Sequence, residues 1–226
     1  MVTYLSFTHR ITRKSPGWPG NPTLQLEPMI VENRGYTIHH HRISIFNHFG
    51  THIDGPRHFN PHGATISDLP FEFFIFTAPV VVDIVKGDGE LITAADLERW
   101  HERLLGADLI LVRTGFGKYR ALDPDRYATR FPALSAEVGR YIVERLPTVR
   151  GIGIDTISIG SYMHLDEAFA VHKVLAQEAD HGRYIVNLED LNLDYDLRNL
   201  TTVLAVPLPI EGIDSAPAIV VGVLDL

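Results

Sequence analysis

The 226-residue chain has 45% apolar residues, 21% charged residues and a formal net charge of -8. That is the balance of an ordinary soluble globular protein and the wrong sign for a general nucleic-acid binder. It contains no cysteine, which excludes disulfides, iron–sulfur clusters and thiolate-held zinc, so any metal must be bound by His, Asp and Glu. The length suits one domain spanning 1–226, because two would each be small. The opening residues Met1 to Ser6 show no charged segment leading into an apolar one. No apolar run approaches the roughly 20 residues that cross a bilayer, and a cytoplasmic location is the default expectation.

In chain order, residues 10–35 are rich in Pro, Gly, Asn and charge, and read as an ordered loop. Trp18 within it suits either a packing plug or the wall of a substrate pocket. Strand-like runs follow at 36–46, 78–85 and 109–113. His39-His40-His41 in the first of them reads as a solvated or interface run. A helix begins after Thr93, a plausible N-cap with Asp96 three residues on, and carries Leu97, Trp100 and Leu104 at helical spacing. A second starts at Ser135 with Val138, Tyr141, Ile142 and Leu146 as its apolar stripe. Residues 151–157 read as a buried strand, 166–177 as a third helix, and 184–188, 201–208 and 218–224 as further strands. Helices and strands alternate in the middle of the chain and strands dominate its ends, which implies an α/β protein with a mixed sheet.

The residues most suited to chemistry are His48-Phe49-Gly50-Thr51-His52-Ile53-Asp54-Gly55-Pro56-Arg57-His58. Three imidazoles and a carboxylate in eleven residues suit a divalent metal, and Gly and Pro fix a turn from which they can converge. Ile43, Ile45 and Phe46 alternate as in a strand, Gly50 ends the run, and Pro56 disfavours a long helix. The segment therefore reads as a strand running out into a ligand-bearing loop. Thr51 stabilises that loop through its hydroxyl, and Gly50 and Pro56 are architectural. No Gly-x-Ser-x-Gly is present, and Gly115-Phe116-Gly117-Lys118 lacks the spacing of a phosphate-binding loop, so it reads as a turn after a strand.

The eleven residues resemble the His-x-Gly-Thr-His-x-Asp-x-Pro-x-His signature of the cyclase family of metal-dependent hydrolases, which includes bacterial kynurenine formamidase and is similar to isatin hydrolase. Further segments resemble the family in order: Leu5-Ser6, Trp18-Pro19-Gly20-Asn21-Pro22, Leu111-Val112-Arg113-Thr114-Gly115, Gly153-Ile154-Asp155-Thr156-Ile157-Ser158 and Pro207-Leu208-Pro209-Ile210-Glu211-Gly212. Departures are Asn21 for the usual Asp, Gly55 for the usual Ala, and a longer stretch between His172 and the next candidate carboxylate.

The resemblance implies a three-layer β/β/α fold of the swivelling type and a homo-oligomer, dimer or tetramer. It also implies one or two divalent ions, zinc first and manganese as the alternative. By the same resemblance His48, His52 and Asp54 hold the first metal, His172 and Glu189 complete the second site, and His58 is the acid–base residue. A neutral imidazole can both accept and donate a proton near pH 7, which favours that role for His58 over a third or outer ligand. Asp155 reads as a structural acceptor, and His164 and His181 as incidental. The implied activity is opening of a small formyl-aryl amide or lactam by metal-activated water. A cyclase or dehydratase of a small oxygenated metabolite, or a metal-binding protein without turnover, are the alternatives.

Overall fold

The computed structural model describes residues 1–177 and 182–225. In chain order it begins with β1 (Val2–Ser6), β2 (Gln25–Asn33), β3 (Tyr36–Ser44), β4 (His52–Asp54), β5 (Ile75–Phe76), β6 (Pro79–Asp83) and β7 (Leu91–Ile92). Helices α1 (Ala94–Glu98) and α2 (His101–Leu104), strand β8 (Leu109–Arg113), helices α3 (Tyr119–Leu122) and α4 (Pro124–Thr129) and strand β9 (Ala133–Leu134) follow. Helix α5 (Ala136–Arg145), β10 (Gly151–Ile154), α6 (Leu165–Ala176), β11 (Val186–Glu189), β12 (Leu200–Pro207) and β13 (Ser215–Asp225) complete it.

The main sheet runs β5-β12-β13-β4-β11-β10-β8-β6, with β1 added alongside β13. Strands β6, β8, β10 and β11 pair parallel with one another, whereas β11 with β4, and β4, β12, β13, β5 and β1 among themselves, pair antiparallel. The parallel strands read Leu109-Ile110-Leu111-Val112 and Gly151-Ile152-Gly153-Ile154 because both of their faces are covered. Their alternate side chains enter two different cores. Ile110, Val112, Ile152 and Ile154 pack against Val138, Ile142, Val171 and Leu175 of α5 and α6. Leu109, Leu111, Val186 and Leu188 instead meet Val203, Ala205, Ala216 and Val220, so the antiparallel half of the sheet folds over the parallel half. Helices, parallel strands and antiparallel strands thus form the three layers expected. Each fully buried Leu or Ile contributes about 1.5–3 kcal/mol, and both cores are built mainly of such residues.

Thr93 caps α1 with a reciprocal pair to Asp96, as read from the sequence. The expected single helix is broken after Glu98, since Trp100 adopts φ -105 and ψ 2 and starts α2. Two other expectations are corrected. Residues 25–33, read as loop, form β2, which pairs with β3 through a hairpin closed by Arg34 and Gly35 at φ 50 and 82. Positive φ at both turn positions matches the twist of the flanking strands. The metal-ligand segment is also more than a loop: β3 stops at Ser44, and His52–Asp54 forms β4 between β11 and β13.

Candidate metal centre

Strand alternation puts His52 and Asp54 on one face of β4 and sends Ile53, fully buried, into the core on the other. Register then brings in the rest. Glu189 of β11 stands opposite His52, and Ser215 of β13 stands opposite Asp54. His48 precedes the strand across a turn in which Gly50 takes φ +72, a conformation that favours glycine. His58 arrives on a single 3₁₀ turn over Pro56–His58. His172 comes from α6 and lies against Gly160, where a Cβ would fall 2.8 Å from its Cε1.

Four imidazoles therefore ring two buried carboxylates. His48 Nδ1 lies 2.9 Å from Asp54 Oδ1, and His52 Nε2 lies 3.4 Å from Asp54 Oδ1 and 3.3 Å from Glu189 Oε2. His172 Nε2 lies 3.4 Å from Glu189 Oε1 and 3.8 Å from Asp54 Oδ2, and His58 Nε2 lies 4.0 Å from Asp54 Oδ2. The outer ring nitrogens are anchored: Nδ1 of His52 donates to Gly50 O at 2.8 Å, and Nδ1 of His172 donates to Ala168 O at 2.7 Å. In the neutral rings the Nε2 lone pairs then point inward at carboxylate oxygens, acceptor against acceptor. His52 Nε2 and both oxygens of Asp54 are buried without a hydrogen-bond partner.

A cation satisfies all of these groups at once. Two ligand atoms each about 2.1 Å from a tetrahedral zinc lie about 3.4 Å apart, the spacing seen around His52, Asp54 and Glu189. Two overlapping groups have ligand atoms within 4.8 Å of one another: His52, Asp54 and Glu189, and His48, Asp54 and His58. Asp54 is common to both, which fits either one ion or a bridged pair. The fold thus places His58 in a group with His48 and Asp54, and His52 with Glu189, a different partition from the one implied by the resemblance.

The electrostatics state the same demand for positive charge. Burial opposes charging His48, but Asp54 and Asp214 outweigh it and raise the ring to about 9. Burial also opposes charging His52 and His172, yet the neighbouring carboxylates raise both. Burial and the Asp54 charge oppose ionisation of Glu189, but the His172 and His52 rings hold it at about 2.

The surroundings are rigid. Ser158 Oγ and Ile159 N both donate to Glu189 Oε1 at 2.8 Å. The next residue, Asp190, takes φ 54 and is clamped by Arg120 at 2.7 Å and by Tyr127 Oη at 2.7 Å. Thr51 stabilises the turn as expected: its hydroxyl donates to Asp190 O at 2.6 Å and accepts from His9 N at 3.0 Å.

Glu189 and the four rings line a cavity of about 580 Å³ whose walls include Trp18, Phe59, Tyr162 and Phe169. Trp18 packs edge-on against Phe131 and Tyr162 and also lines the cavity. Phe59 stacks on His172 with ring centroids 4.7 Å apart.

Asp155 lies apart from this ring, accepting from Thr114 N, Thr114 Oγ1 and Gly115 N in the structural role read for it. His164 bonds to Gly89 O, and His39, His40 and His41 are exposed on β3. His181 lies outside the described residues. Sequence reasoning missed Asp214, whose Oδ2 lies 2.9 Å from both His48 Nε2 and His58 Nδ1. Its one signal was position, two residues beyond the Pro207-to-Gly212 segment.

Comparison with known proteins agrees with this architecture. A protein of Haemophilus influenzae called "Uncharacterized protein" is 36% identical over 110 residues, 49% of this chain and 78% of that one. A kynurenine formamidase of Bacillus thuringiensis is 27% identical over 201 residues, 88% of this chain and 87% of that one. Isatin hydrolase A from Labrenzia aggregata, solved with benzyl benzoate, superposes with a TM-score of 0.80 at 25% identity, covering 99% of this chain and 94% of that one. The Cyclase family matches residues 5–161, a span that holds the whole eleven-residue turn and ends before His172, Glu189 and Asp214. The chain belongs to the Cyclase family.

Proposed function

We propose that the chain is a metal-dependent hydrolase of amide C–N bonds other than peptide bonds, acting on a small formyl-aryl amide or lactam. His48, His52, Asp54, His172 and Glu189 hold one or two divalent ions, zinc first and manganese as the alternative, and His58 moves the proton. One observation carries this reading: buried His52 Nε2 and Asp54 oxygens, with no partner, face one another beside an aromatic-walled cavity that His52 lines. Bound there, a divalent ion supplies a Lewis acid for the carbonyl and lowers the pKa of water towards 7.

The chain's own residues supply positioning and proton transfer. Phe59, Phe169, Tyr162 and Trp18 flank the floor and suit a flat aromatic group, whose burial excludes water from the scissile amide. His58 has 27% of its side chain exposed, against 15% for His48 and 3% for His52. It therefore stands where it can reach substrate, take a proton from the attacking water and return it to the departing nitrogen. Water adds to the carbonyl carbon, the C–N bond breaks, and the products are a carboxylic acid and an amine.

The formamidase and isatin hydrolase relatives support an N-formyl amide and a lactam respectively as the substrate types. The same reading includes one domain, a cytoplasmic location and a homo-oligomer. The apolar side chains that the β2–β3 hairpin exposes, Ile30 at 61% and Ile43 at 63%, support the last. No described helix is long and apolar enough to cross a membrane.

Metal analysis followed by a screen of formyl-aryl amides, isatin-like lactams and lactones tests the proposal. The expected result is amide or lactam opening that a chelator abolishes and zinc or manganese restores. Hydrolysis that survives complete metal removal, or no turnover of any amide or lactam by metal-loaded protein, contradicts it.

A further inference from the structure

The cavity holds a carboxylate outside the proposed ligand set, Asp214, and its Oδ2 touches two imidazoles, His48 Nε2 and His58 Nδ1, each at 2.9 Å. A carboxylate can only accept, so both of those ring nitrogens carry hydrogen and donate. In the neutral rings the lone pair is then left on His48 Nδ1, 2.9 Å from Asp54 Oδ1, and on His58 Nε2, 4.0 Å from Asp54 Oδ2.

The two consequences differ. A free neutral imidazole prefers its hydrogen on Nε2, so His48 keeps the ordinary form while His58 is held in the reverse one. In its ordinary form His58 would turn an N–H towards the Asp54 centre and could accept no proton there. His52 and His172 do not depend on Asp214, because Gly50 O and Ala168 O anchor them. Asp214 is itself fixed: its Oδ1 accepts from Asn47 Nδ2 at 2.9 Å, and its carbonyl accepts from Gly55 N at 2.8 Å.

We propose that Asp214 is a positioning residue that imposes the Nδ1–H form on His58, so that the basic Nε2 faces the metal centre. The inference rests on the metal-dependent reading above. It follows the logic by which an aspartate orients the general-base histidine of a hydrolytic triad. In Asp214→Asn, Asn47 keeps the amide oxygen on its own side and the new NH₂ faces both rings as a donor, which also moves the His48 hydrogen to its inner Nδ1 and should weaken zinc binding. That substitution should reverse His58 with little change of volume. Asp214→Ala removes the acceptor without adding a donor and should let His58 return to its ordinary form.

The experiment is NMR of ¹⁵N-histidine-labelled, zinc-loaded protein, read together with kcat, KM and zinc stoichiometry. Wild type should show His58 protonated at Nδ1, and both variants should show it protonated at Nε2. The His52 and His172 signals should stay unchanged. For Asp214→Ala, in which His48 keeps its Nε2–H beside Ser215 Oγ, kcat should fall by about 10²- to 10⁴-fold with KM within about threefold and zinc stoichiometry unchanged. Nδ1–H on His58 in both variants, or Nε2–H in wild type, overturns the inference while leaving the metal-dependent reading standing. Wild-type protein that takes up no zinc overturns both.

Discussion

His39, His40 and His41 sit consecutively on β3 of the exposed hairpin, whereas His48, His52, His58 and His172 come from a turn, a strand, a 3₁₀ turn and a helix. In the first group strand alternation throws neighbours to opposite faces, and all three rings are exposed. In the second, each ring has its outer nitrogen tied to a fixed acceptor and its inner nitrogen aimed at Asp54 or Glu189. Density of histidines in sequence therefore says little. What marks a site is an anchored outer nitrogen and an inner lone pair with nowhere else to go, because the anchor fixes ring orientation for a ligand.

The contrast can be broken most sharply by substituting each group. Asp54→Asn should lower kcat by at least about 10³-fold, since it removes the carboxylate common to both ligand groups. Replacing His39, His40 and His41 together by Ala should leave kcat within about twofold. Equal losses in the two variants would dissolve the distinction.

A smaller effect tests the scaffold behind the ring. Arg120→Met leaves Asp190 buried opposite no cation, though still bonded to Tyr127, and should cost roughly 3–5 kcal/mol of unfolding free energy in denaturant melts. A loss below about 1 kcal/mol would mean that the clamp beside Glu189 is not structural.

Protons supply the finest test. In the metal-free chain the carboxylates hold His48 at about 9, so that ring is charged at neutral pH, and they raise His52 and His172 as well. A metal must displace the proton on His48. Each proton released makes apparent affinity rise tenfold per pH unit, up to about pH 9 for His48. Calorimetric zinc titrations at pH 7 in buffers of different ionisation enthalpy should show net proton release, and pH-independent affinity would contradict it. The exposed hairpin histidines should add nothing to that release.

Much of this was legible in the sequence where local rules decide. Leu109–Arg113 stood out because a strand covered on both faces is apolar along its buried length, here all but Arg113, and Thr93 with Asp96 marked a helix start because the two bond each other. The eleven-residue turn was legible because its ligands are neighbours in the chain. Asp214 was not, since it meets His48 and His58 from 166 and 156 residues away, only because β13 lies beside β4. The hairpin strand Gln25–Asn33 was hidden for the opposite reason: almost all of it is exposed, so no buried face imposed an apolar pattern. The partition of ligands depended on cross-strand register, which placed Glu189 against His52 and which periodicity cannot supply.

The central claim is that the unpartnered groups around Asp54 exist to hold a divalent ion. The direct test is the zinc-binding isotherm of purified wild-type protein beside that of Asp54→Asn, both first stripped with chelator and shown by circular dichroism to be folded. The account predicts one or two tightly bound ions in wild type and loss of that binding in the variant. Folded wild-type protein that binds no zinc or manganese, or an Asp54→Asn variant with the same isotherm, would contradict it.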